Sequence, residues 1–245
     1  AAVSQNGKEV SVLKVRIKFR KYGVMKFIGH LDVMRFFQKV MRRADIPIAF
    51  TSGYSPHMIM SFAQPLGLGV TSDAEYLDIE LTRPISSEDA VSQMNAVMVE
   101  GIEIVSFLQI PDEKKSSGMT IVAAADYLVT SKSEAFPDGW EELAIQFMDM
   151  PQMIVRKKTK RSEKEVDIKP MIYDFHWENG KFFLHLAAGS EQNLKPELVM
   201  EAFLAFAGAD AAEYPLHYHR LEVYAKKPDG TGFCSLESLG TEIFL

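Results

Sequence analysis

Lys14-Val15-Arg16-Ile17-Lys18-Phe19-Arg20-Lys21, then Gly29-His30-Leu31-Asp32, then Gly53-Tyr54-Ser55-Pro56-His57, is the stretch that decides the fold. Val15, Ile17 and Phe19 alternate with Arg16, Lys18 and Arg20, the two-residue period of a half-buried strand. Leu31, Met34, Phe37, Val40, Met41 and Ala44 then recur at helical spacing, which leaves Arg35, Gln38, Lys39 and Arg42 on the opposite face. Pro47 is expected to end that helix, because it has no N–H to continue the ladder.

Working outward, Ile46 to Ser52 reads as a short strand, and the segment to Val70 is loop-rich. Ala74 to Leu81 alternates Leu77, Ile79 and Leu81 with Tyr76, Asp78 and Glu80, a second strand of period two. Ser86 or Ser87 caps a helix running to about Val99, and Ile102 to Ile110 closes the unit. The order β-α-β-β-α-β predicts an α+β, ferredoxin-like half over residues 13–111, with an antiparallel sheet and both helices on one face.

Pro111 to Gly118, polar and charged, reads as a linker. The same grammar returns over residues 119–227: a strand at Thr120–Thr130, a helix at Gly139–Met150 and an extra basic hairpin at Met153–Ile168. An Asn179-Gly180 hairpin, a helix at Pro196–Ala207 and a closing strand at His217–Ala225 follow. Two tandem ferredoxin-like halves are therefore expected, with residues 228–245 as an unassigned tail. Residues 1–12 are set aside from this reading.

The chain of 245 residues is long enough to bury a substantial core, and its apolar, aromatic and charged fractions are those of a globular protein. It contains no apolar run long enough to suggest a membrane span. Cys234 is the single cysteine, which excludes an internal disulfide and a thiolate metal site from this chain alone; with no secretory segment evident, a cytoplasmic location is expected. The net charge of −6 argues against bulk coating of nucleic acid, but it hides a strong polarity. Ten basic residues lie between Lys14 and Arg43 against the single acid Asp32, and seven more lie between Arg156 and Lys169. Such local cationic patches suit a polyanion held in one place.

His30 and Asp32 sit where a helix start offers unpaired N–H groups, so Asp32 is favoured there on helix-dipole grounds alone. His30, His57 and Asp32 are candidates for acid–base work, since a histidine titrates near neutrality and His57 lies on a stiff loop, and Tyr54 of that loop is a candidate for anion or nucleic-acid binding. Arg35, Lys39 and Arg42 form the best candidate stripe for phosphate contact, and Arg156, Lys158, Lys160 and Arg161 of the hairpin are candidates for nucleic-acid contact. Lys14, Arg16 and Lys18 are expected to lie opposite Tyr76, Asp78 and Glu80 and to be neutralised by cross-strand pairing. His217 and His219 share one side of a strand, but no third ligand is fixed by spacing, so no metal is expected. Neither a P-loop, a GxGxxG nor a CxxxCxxC cluster is present, and no cofactor is expected.

Several of these segments resemble one family. Val15-Arg16-Ile17-Lys18-Phe19, Lys26-Phe27-Ile28-Gly29-His30-Leu31-Asp32, Arg42-Arg43-Ala44, Gly53-Tyr54-Ser55-Pro56-His57, Ser61-Phe62, Pro65-Leu66-Gly67 and Ala74 to Leu81 are similar to the radical-SAM-linked protein family. That family occurs beside, or fused behind, a radical SAM protein with a cobalamin-type domain. It more often has Leu at Ile28 and Ser at Gly29, departures that leave His30 and Asp32 in place. The resemblance implies an accessory role to a radical SAM partner and supplies no reaction.

Three functions remain open on the sequence: a non-catalytic module presenting structured RNA or another anionic substrate to the partner, an enzyme using His30 and His57 on a phosphodiester-type substrate, and a protein adaptor docking the radical SAM subunit.

Overall fold

The computed structural model describes residues 13–133, 135–158 and 163–245. In β1 (Leu13–Lys21), Val15, Ile17 and Phe19 are buried as their alternation predicts. In α1 (His30–Arg43) the buried residues are Val33, Phe37, Val40 and Met41, one stripe of the helix. The helix stops before Pro47 is reached. Asp45 takes a left-handed φ of 53°, and the N–H groups of Asp45 and Ile46 return to the carbonyls of Arg42 and Met41, a Schellman ending.

The expected strand at 46–52 is corrected: only isolated bridges form, Ile48 with Leu81 and Phe50 with Met58. Pro47 cannot donate to a ladder, and the turn at Gly53–Pro56 takes the chain away. The strand that does form is β2 (Met60–Phe62), paired with the far end of β3 (Thr71–Leu81). After it, α2 (Ser87–Asn95) is capped by the Ser86 hydroxyl, which accepts from the Asp89 N–H at 3.1 Å. It ends earlier than its sequence suggests because the Asn95 amide pairs with both backbone groups of Ile104 in β4 (Ile102–Ile110).

In the remainder, a short α3 (Gly118–Ile121) occupies the start of the predicted strand, so β5 begins later (Val122–Ser131). Then come α4 (Trp140–Asp149), the hairpin β6 (Ile154–Lys158) with β7 (Glu163–Asp167), β8 (Ile172–Glu178) and β9 (Lys181–Ala187). Asn179 and Gly180 both have positive φ, the requirement of the tight turn their sequence announces. The chain continues through α5 (Pro196–Phe206), β10 (Leu216–Lys226) and β11 (Phe233–Ser235).

The result is an α+β fold built on one large, mostly antiparallel sheet, in the order β4-β1-β3-β10-β5-β9-β8, with β2 beside β3 and β11 beside β10. The strands of both halves are thus continuous rather than forming two sheets. β2 is only three residues long and covers Leu77 to Ile79, so the edge of β3 at Thr71 and Ser72 stays open, and β10 fills it. That junction is parallel and only two residue pairs long, His219 with Thr71 and Arg220 with Ser72. Two apolar cores lie under the helices, one against α1 and α2, the other against α4 and α5.

The opposite face of the sheet carries charge, and it is not open. Arg16 is 2% exposed; its guanidinium grips both Asp78 oxygens, at 2.8 and 2.9 Å, and donates to the Ser116 carbonyl. Lys14 lies near Glu80 and bonds Asp112 at 2.8 Å. Lys18 is opposite Tyr76, as expected, but its ammonium goes instead to Glu222 at 2.9 Å and Glu237 at 2.7 Å. The unassigned tail therefore has a place. It pairs with β10 through β11, crosses over Lys18 at Glu237, bridges Gln109 of β4 at Thr241 and inserts Ile243 into the first core.

The Lys18–Glu237 bond makes that tail a latch with a defined pH response. Burial pushes the Glu237 carboxyl up, but the Lys18 bond and charge outweigh it, and the net pKa lies below the ordinary glutamate value. A depressed folded pKa stabilises above the unfolded value, and that stabilisation is lost as pH falls through the folded one. Acidification to below the ordinary glutamate range should therefore release the tail, and proteolysis within 228–245 should accelerate before the sheet unfolds. Glu237→Gln should bring the faster cleavage to neutral pH; unchanged cleavage in both tests would contradict the latch.

Candidate functional site

His30 begins α1 behind the N-cap Gly29, whose N–H-rich turn carries no side-chain cap. Its ring meets the edge of Phe62, with centroids 5.1 Å apart, and it lines a narrow crevice of about 10 Å³ with Lys21, Val33, Leu66 and Glu75. His57 is not among those residues. Its Nδ1 lies 3.1 Å from the Thr51 hydroxyl, which also accepts the His57 N–H, and this closes the 51–57 loop. The two imidazoles are thus engaged by different partners. Tyr54 stands fully exposed at the tip of that loop.

Along α1, Arg35, Lys39 and Arg42 are all exposed, and Asp32 lies 3.4 Å from Arg35. Lys39 and Arg42 have no ion pair with a described residue. Arg156 is exposed on β6 and lies 3.7 Å from Glu165 across the hairpin. Lys158 is the last residue of β6, while Lys160 and Arg161 fall outside the described residues.

A buried charge cluster lies at the parallel junction, which the sequence did not single out. Arg220 is 4% exposed and Glu75 5%, and they pair at 3.0 Å; the guanidinium also donates to the Gln64 carbonyl at 2.7 Å. Burial pushes the Glu75 carboxyl up, against the pull of Arg220. Burial likewise pushes the Lys21 ammonium down, with Glu75 opposing, and Lys21 donates to the Ile28 carbonyl at 2.7 Å. This buried cluster supports the start of α1 from beneath. Arg220 and Glu75 gave little sign in the sequence, because Glu75 reads as one more residue of the strand expected at Ala74–Leu81 and its partner lies on β10.

Beside it, His217 and His219 converge on the Thr71 hydroxyl, at 3.0 and 2.7 Å. The other nitrogen of His219 is 2.9 Å from Asp73, which also lies 3.7 Å from Arg20. The side shared by the two histidines is real, but the partner is a hydroxyl; among the described residues no three metal-ligating side chains gather. A third polar group, Asp126 with His185 and the Tyr224 hydroxyl, occupies β5, β9 and β10. No helix among the described residues is long and apolar enough to cross a membrane.

Residues 14–196 match the family described as "Uncharacterized protein conserved in bacteria (DUF2344)", and the chain belongs to that family. The description names no radical SAM partner, so that association rests on the sequence resemblance alone. No curated protein matches the chain. A solved chain of the "Crystal Structure of a Cbf5-Nop10-Gar1 Complex" is similar at 12% identity and a TM-score of 0.43, over 85% of this chain and 48% of that one. The chain therefore spans about half the length of that solved chain.

The buried pair at the junction has a stability consequence. Glu75→Ala leaves Arg220 and Lys21 without their shared counter-charge, and breaking one side of a buried pair costs about 3–5 kcal/mol. The urea midpoint should fall accordingly. Glu75→Met combined with Arg220→Met should cost less than the single change, because Lys21 alone is then left without its counter-charge; an equal or larger cost would contradict the assignment.

Proposed function

We propose that the protein is a non-catalytic accessory module that holds a polyanion, structured RNA in the first instance, for a radical SAM partner. The observation that carries the reading is the solvent face of α1, where Arg35, Lys39 and Arg42 stand exposed at helical spacing with Asp32 as the one acid on that helix. Cations in such a row neutralise successive phosphates without reading sequence, which suits a holder more than a selective enzyme. Tyr54, presented at a loop tip, supplies a ring on which a base can stack.

The platform is read as two tandem ferredoxin-like halves. The strand orders β4-β1-β3-β2 and β10-β5-β9-β8, each with its two helices on one face, support this. The radical SAM partner comes from the sequence resemblance, and the basic hairpin β6–β7 is assigned a supporting contact along the same polyanion. An acid–base pairing of His30 with His57 is not adopted, since Phe62 and Thr51 engage the two rings separately.

The test is RNA affinity measured against salt. Single-stranded binding should weaken with a log–log slope of about −0.7 per neutralised phosphate. Replacing Arg35, Lys39 and Arg42 together by Ala should make that slope shallower by about 2. Tyr54→Ala should weaken binding with the slope unchanged. Absence of salt-sensitive RNA binding, with or without the partner enzyme, would refute the proposal.

A further inference from the structure

Arg220 is buried with more hydrogens than acceptors. Its Nη1 donates to the Gln64 carbonyl at 2.7 Å and to Glu75 at 3.0 Å, and its Nη2 reaches the Tyr127 hydroxyl at 3.4 Å. Its Nε is buried too and has no hydrogen-bond partner among the described residues. Tyr127, on β5, is also buried, and because its oxygen accepts from Arg220 its own hydrogen is left over, with no acceptor among the described residues. Buried donors are costly to leave unmade, so two of them side by side call for an acceptor.

Both side chains line a cavity of about 100 Å³ between the two halves of the sheet. One wall is the loop 64–70 of the first half, and the other is the start of α5 at Lys195, Pro196 and Glu197. The Gln64 amide ties the walls together by donating to Asn193 at 3.1 Å. No side chain caps α5; Pro196 has no N–H to offer, and the Glu197 N–H, in the first turn, has no acceptor among the described residues. Three donors without acceptors thus belong to residues that line one cavity, and the helix start adds its partial positive charge. Glu197 is the one acidic side chain in the lining, and Lys195 offsets it. Counting Arg220, Lys21 and Lys195 against Glu75 and Glu197 leaves one positive charge.

We propose that this cavity binds the carboxylate of a small organic acid, with Arg220, Tyr127 and the first turn of α5 as its donors. A carboxylate only accepts, which is what a donor-rich lining lacks, and its single charge matches the one positive charge left over. The size agrees: about 100 Å³ is the space of about three waters at roughly 30 Å³ each, enough for a carboxylate and a short aliphatic part. The bound acid would touch both halves of the sheet. The site is separate from the α1 stripe, so it stands or falls independently of the polyanion reading.

Acetate is the probe, titrated into the intact protein at constant ionic strength against chloride. The Nε–H of Arg220 has its own nitrogen–proton NMR resonance, assigned through the carbons of its side chain. Acetate should move that resonance saturably, and chloride should not. Tyr127→Phe removes one donor while leaving the Arg220–Glu75 pair in place, and it should weaken acetate by at least about tenfold, the loss of one hydrogen bond to a charged group. Phosphate at pH 8, a dianion, should bind more weakly than acetate. A resonance that acetate leaves unmoved would mean a merely solvated crevice and would overturn the site. Equal acetate affinity in Tyr127→Phe, or tighter binding of phosphate than of acetate, would overturn the ligand assigned to it.

Discussion

The two halves of the sheet meet along a parallel contact of only two residue pairs, and the rest of the molecule depends on what holds it there. Two pairs of backbone partners are too few to fix the joint, so side chains must do so. On the core side Arg220 and Glu75 pair in near-complete burial, under the Gln64 carbonyl and beside Lys21. Thr71 bonds both His217 and His219 at the same two strands. Such a joint is unforgiving: a buried ion pair adds little when complete and costs several kcal/mol, about 3–5, when halved. The tail adds a strap, running from β10 across Lys18 to β4 and the first core.

Much of this was legible in the sequence where periodicity speaks. The alternation at Val15–Phe19, the helical stripe of α1 and the Asn179-Gly180 turn translate directly into structure, because each is a local signal that burial then reinforces. The pairing of Arg16 with Asp78 followed from register alone. The strand at Met60–Phe62 was misplaced, since it needs only three residues and its partner lies in β3. The joint itself was invisible. Glu75 and Arg220 are 145 residues apart, and nothing local marks either as a member of a pair. The tail was unreadable for the same reason, as Glu237 gains its role from Lys18 at the other end of the chain.

For the candidate site the lesson is different. The exposure of Arg35, Lys39 and Arg42 followed from helical phase, and they are the residues the proposed polyanion contact uses. His30 and His57 were grouped by composition; in the structure one ring meets Phe62 and the other the Thr51 hydroxyl. His217 and His219 were set aside for want of a third metal ligand, when the group that joins them is a threonine hydroxyl from another strand. The buried charge at the junction also reaches the segment that leads into α1, through the Lys21 bond to the Ile28 carbonyl.

Held by these side chains, the short parallel joint should make both halves of the sheet one cooperative unit. Native-state hydrogen exchange measures this directly, as opening free energies resolved along the chain. The slowest amides of β1 and β3 and those of β5 and β9 should exchange with the same free energy, and Glu75→Gln should lower both together. Two distinct values, with only one of them moved by Glu75→Gln, would contradict it.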